Sequence, residues 1–80
     1  MELMIVRPTS SQTMKINWLE AQTDYGNVVI LPGHAPTIIL LTQSKEVTIE
    51  LWDCNRILMT VVSGILQVTR TSITLLITQE

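Results

Sequence analysis

Eighty residues, 46% of them hydrophobic and 15% charged, make one domain (residues 1–80) with a core so thin that most apolar side chains are needed in it. The apolar fraction still exceeds what a solvated monomer of this size requires, so part of it is expected to face a partner. A net charge of −2, with Arg7, Lys15, Lys45, Arg56 and Arg70 scattered along the chain, leaves no basic stripe and argues against a nucleic-acid partner.

No uncharged run approaches the roughly 18 to 20 residues that span a bilayer, and Met1-Glu2-Leu3-Met4 has no basic stretch ahead of an apolar one, so neither a membrane helix nor a secretory signal is expected. The chain reads as soluble or peripheral. A lone Cys54 rules out an internal disulfide and suits a reducing compartment.

Residues 1–6 are short and apolar and stop at Arg7-Pro8, as a strand does before proline. The polar run Thr9-Ser10-Ser11-Gln12-Thr13 reads as a turn or short loop. In residues 14–22 the apolar alternation Met14, Ile16, Trp18 changes phase to Leu19 and Ala21, which predicts a β-bulge or a crossing between two sheets. Thr23-Asp24-Tyr25-Gly26-Asn27 is turn chemistry, because Asp and Asn bond the local backbone and glycine accepts positive φ.

Val29-Ile30-Leu31 leads into Pro32-Gly33-His34-Ala35-Pro36, and Thr37-Ile38-Ile39-Leu40-Leu41 leads out. Each proline fixes its own φ and biases the preceding residue toward extended conformations, while Gly33 can supply a sharp reversal. No helix runs through this stretch, so it is a rigid corner between two strands.

Gln43-Ser44 turns the chain into its clearest local pattern. Val47, Ile49 and Leu51 alternate with Thr48, Glu50 and Trp52, a period of two that helices do not use. Asp53-Cys54-Asn55 reverses the chain, and Ile57, Met59 and Val61 return on one face as the second arm of a hairpin. Leu58, Val62 and Trp52 lie on the other face, which is therefore not fully polar. Ser63-Gly64 breaks the run, and residues 65–70 and 73–78 form a second hairpin about Thr71-Ser72. Short strands with frequent turn signals and no helical period read as all-β, a sandwich or barrel. Ile16, Val29, Ile49, Val61, Leu66 and Leu75 are expected in its core.

The chemistry-bearing residues form no recognisable constellation. His34 is the only histidine and Cys54 belongs to a different hairpin, short of the four ligands of a zinc site. Ser63, Asp24 and Asp53 lack the context of an activated nucleophile, and the plainer role for His34 is to hold the corner loop. The acidic residues are scattered, and Gly26, Gly33 and Gly64 are isolated, so paired carboxylates and a phosphate-cradling loop have no support. No catalytic residue, metal or cofactor is expected. Trp52 has two readings, an anchor for a partner or a cover over one end of the core.

Three stretches in order resemble the amino-terminal domain of the epsilon subunit of rotary ATP synthases (delta in mitochondria): Leu3-Met4-Ile5-Val6-Arg7-Pro8, the run from Gly26 through Leu31-Pro32-Gly33-His34-Ala35-Pro36 to Leu41, and Val62-Ser63-Gly64-Ile65-Leu66-Gln67-Val68 with Ile73-Thr74-Leu75-Leu76. The chain departs from that pattern at Ser63, where the family usually has the first of two glycines, at Gln67, often glutamate, and at Asn27-Val28-Val29, which lacks a second glycine. Glu80 falls where the family continues into a helical hairpin, the part that inhibits ATP hydrolysis or binds ATP, so neither of those functions carries over.

The resemblance implies a flattened β-sandwich of about ten short strands and a non-catalytic rotor subunit of the central stalk. Such a subunit would bind the gamma subunit and rest on the c-subunit ring, coupling proton or sodium flow to ATP synthesis. It further implies that Pro32, Gly33, His34 and Pro36 form a structural corner and that the turn at Gly26 and Asn27 faces the c ring. Membrane association would come only through the complex, peripherally, on the cytoplasmic face of the inner (plasma) membrane in a bacterium. Two other readings remain beside it: a free-standing β-sandwich adaptor module, and a very small hydrolase using His34.

Overall fold

The computed structural model describes residues 1–79; the family's point of continuation into a helical hairpin, at Glu80, lies outside them. Every described element is a strand: β1 (Glu2–Arg7), β2 (Ser10–Thr23), β3 (Gly26–Ile30), β4 (Thr37–Leu41), β5 (Lys45–Leu51), β6 (Arg56–Val61), β7 (Ser63–Val68) and β8 (Ser72–Gln79). The all-β expectation is met. Among the described residues there are eight strands rather than about ten, with β2 running as one long strand through both layers.

Sheet I has the order β4-β7-β8-β1 and then the first half of β2; sheet II is β3, the second half of β2, β5 and β6. All pairings are antiparallel except β1 with β8. The body measures 29 × 28 × 21 Å, a flattened shape.

The switch between layers lies where the apolar alternation changes phase. Ile16 faces Leu51 and Trp18 faces Glu50, leaving Asn17 as an extra residue with no opposite number. Its side-chain amide donates to the Leu51 carbonyl and to Glu50 Oε2, both at 3.1 Å, so the bulge has its own polar fastening. One extra residue reverses side-chain parity and increases the local twist, which lets one strand bury Ile16 on one phase and Leu19 and Ala21 on the other.

The polar segment 10–13, expected as a loop, is instead the start of β2, paired with β1 from Arg7↔Ser10 to Met4↔Thr13. The turn is confined to Pro8 and Thr9. The backbone of Ser and Thr completes a ladder as readily as that of Val, and this end of the strand buries no side chain that would mark it in the sequence.

The core draws on every strand, with Leu3, Leu19, Ile30, Leu41, Val47, Ile49, Leu66 and Leu75 fully buried and no buried polar or charged residue among those described. Ile16, Ile49, Val61, Leu66 and Leu75 are buried as expected. Val29 is not. It is 48% exposed, because Ile30 takes the inward position opposite Leu19, which turns Val29 outward beside Glu20. In Val28-Val29-Ile30 no polar residue marks the parity, so only pairing decides it.

Candidate docking surfaces

The corner is a hydrogen-bonded β-turn. His34 N–H donates to the Leu31 carbonyl at 3.1 Å, with Pro32 in the position that favours proline and Gly33 at φ +86° in the position that needs glycine. The corner is also tied to the β7–β8 turn: Gly33 N–H donates to the Arg70 carbonyl at 2.8 Å, and Arg70 Nη1 donates back to the Gly33 carbonyl at 3.4 Å. The half-buried His34 donates from Nδ1 to the Ala35 carbonyl at 2.8 Å, so its ring is engaged with its own loop. Pro32 and Pro36 are exposed.

Around Gly33 there is open space, so the cost of a side chain there comes from backbone conformation alone. Gly33→Val is expected to lower stability by about 1 to 3 kcal/mol, with Gly33→Asn milder because Asn tolerates positive φ. Denaturant titration checks this, and unchanged stability in the valine variant would refute it.

Gly26 and Asn27 begin β3, just after the tip of the β2–β3 turn. Thr23 Oγ1 donates to the Gly26 carbonyl at 2.6 Å and accepts from Tyr25 N–H at 3.1 Å, and Gly26 takes φ +116°. Tyr25 is 100% exposed at the tip, and Asp24 is paired with Lys45 at 2.8 Å. The missing second glycine does no harm, because Val29 sits in regular strand backbone. The structure keeps this turn apart from the corner, at opposite ends of β3. An open groove of about 460 Å³ lies between the turn and β4, lined by Val28, Ile38 and Leu40 with Thr23 and Asp24. Among the described residues no cluster of His, Cys, Asp or Glu could hold a metal ion.

The surface that sequence reasoning missed is the outer face of sheet I. Cross-strand pairing lines up Leu40, Ile65, Leu76 and Val6 on four adjacent strands, an unbroken apolar row, with Ile38 and Met4 flanking it. Leu40 is 65% and Ile38 67% exposed, at outward positions where a strand that buries only its inner face ordinarily carries polar residues. The signal was present as apolar runs that do not alternate, Ile38-Ile39-Leu40-Leu41 and Leu75-Leu76-Ile77. Trp52, at 70% exposure, covers no part of the core.

The β-sandwich thus presents an apolar outer row, a fastened corner and a projecting turn on its surface. The family model described as the ATP synthase Delta/Epsilon chain β-sandwich domain matches residues 1–79, and the chain belongs to that family. It is 40% identical over 58 residues to the ATP synthase epsilon chain of Rhodococcus erythropolis; the match covers 72% of this chain and 48% of that protein. The chain thus spans about half the length of that relative.

Proposed function

We propose that this domain is a non-catalytic rotor subunit of an ATP synthase, bound to the gamma subunit through the outer face of sheet I and facing the c-subunit ring with the turn at Gly26 and Asn27. The observation that carries the reading is the apolar row Leu40, Ile65, Leu76 and Val6, which gives a partner an area to desolvate without any buried charge to compensate. A sheet packed on a sheet is stiff, and stiffness is what a part transmitting torque between an ion-driven ring and a shaft requires. Membrane association comes through the complex, on the cytoplasmic face of the inner membrane in a bacterium. Among the described residues no helix is long and apolar enough to cross a bilayer.

The test adds the chain to ATP synthase depleted of its epsilon subunit and measures retention on gamma together with ion-coupled ATP synthesis. The wild-type chain is expected to bind and restore coupling. Leu76→Asp and Leu40→Asp, both at exposed positions, are expected to keep the fold and weaken gamma binding by about thirtyfold or more, the loss of a hot-spot contact. Lengthening the turn at Gly26-Asn27 is expected to impair coupling while leaving gamma binding intact. Failure of the wild-type chain to bind gamma at micromolar concentration would overturn the stalk reading in favour of a free-standing adaptor.

A further inference from the structure

We propose that the outer face of sheet II is a second docking surface, built for a basic amphipathic helix of a protein partner. Its middle row, read across four strands, is Val29, Glu20, Thr48 and Leu58; the row beside it is Trp18, Glu50 and Arg56. Val29 is 48% and Leu58 64% exposed. This face therefore offers large apolar groups at both edges with carboxylates between them, unlike the uncharged apolar row of sheet I.

Charge is divided unevenly between the layers. Glu20, Asp24, Glu46, Glu50 and Asp53 belong to the strands and turns of sheet II, against Lys45 and Arg56; Arg7, Lys15 and Arg70 lie on sheet I or its turns, where among the described residues Glu2 alone opposes them. The basic residues of sheet II are already committed. Lys45 pairs with Asp24 at 2.8 Å, while Arg56 pairs with Glu50 at 3.5 Å and lies 5.1 Å over the Trp18 ring. Glu20 and Glu46 have no basic partner among the described residues. A ligand that covers Leu58 and Val29 must bring positive charge to them, and an anionic bilayer surface is repelled by the same groups.

Shape narrows the choice further. Four strands spaced by about 4.8 Å give a face roughly 14 Å across, close to the diameter of one helix with its side chains, about 10 to 12 Å. A helix with a narrow apolar stripe flanked by Lys or Arg meets the Val29 and Leu58 edges and the two carboxylates together. This surface is separate from the one assigned to gamma, so the two proposals stand or fall independently.

Trp18 and Trp52 are the only tryptophans, one on this face and the other at the turn closing its β5–β6 hairpin, so intrinsic fluorescence reports on binding here. The probe is a synthetic helical peptide of about 18 residues made only of Leu and Lys at the helical period, with a Leu and Glu peptide of the same pattern beside it. The Lys peptide is expected to give a saturable blue shift of tryptophan emission that weakens with salt. Leu58→Asp, and Glu20→Lys combined with Glu46→Lys, are each expected to reduce its affinity about tenfold or more, with circular dichroism unchanged. Leu40→Asp on sheet I should leave affinity unaltered. No emission shift, equal binding of the Glu peptide, indifference to the sheet II variants, or preference for anionic phospholipid vesicles would overturn the proposal.

Discussion

Leu19→Ala is expected to cost about 3 to 5 kcal/mol of folding stability, the upper part of the range for emptying a leucine site in a closed core. Leu19 is fully buried, and it is the first inward residue after the Asn17 bulge. It pairs with Ile30 on one side and Ile49 on the other, both fully buried. Three strands of sheet II are therefore hydrogen-bonded through this row and restrict collapse around the void. A chain of this size has roughly 4 to 12 kcal/mol to lose, so this one substitution removes from about a quarter of its stability to all of it. Chemical denaturation of wild type and variant, with the same slope in both, checks the figure. A loss below about 1 kcal/mol would show that the strands close over the gap and that the core is softer than its burial implies.

The second large effect is at Gly64, for a different physical reason. A Cβ placed there meets the Leu76 carbonyl oxygen at 2.8 Å and Val61 Cγ1 at 3.1 Å. The first of these is backbone, which cannot swing aside as a side-chain tip does. Gly64→Val is expected to cost about 3 kcal/mol or more, because β7 and β8 must part at the register shift between Ser63 and Gly64. Gly64→Ala is expected to cost part of that. By contrast Ser63, where the family usually has glycine, is half-buried with room for its hydroxyl, which accepts from Thr78 Oγ1 at 3.1 Å. Thermal unfolding of Gly64→Ala and Ser63→Gly distinguishes the two glycine positions. Equal, small effects would show that close strand approach is not what keeps Gly64 in place.

Local chemistry alone determined the parts of this protein that lie within a few residues of each other. The two-residue period of residues 47–51 marks the β5–β6 hairpin, and Pro32-Gly33 marks the corner between β3 and β4, because proline's fixed φ and glycine's positive φ act without help from the rest of the chain. The phase change near Trp18 foretold the bulge for the same reason, since side-chain parity is a property of one strand. The resemblance in the corner string and the flanking strands pointed to the ATP synthase family that the comparison shows.

Tertiary pairing alone decided what local pattern leaves ambiguous. The start of β2 is polar and became a strand only because β1 offers it a ladder. Val28-Val29-Ile30 is apolar throughout, so the choice of Ile30 over Val29 for the core was made by pairing with β2. The docking surfaces are of this second kind as well. Leu40, Ile65, Leu76 and Val6 are separated along the chain by up to seventy residues, and only the strand order β4-β7-β8-β1 sets them side by side. Glu20 and Glu46 likewise share a face because β2 and β5 are neighbours. A surface patch is a sum over distant strands, and its composition follows from which edges find each other in folding, where the hydrophobic drive to close one core outweighs the preference of any single segment.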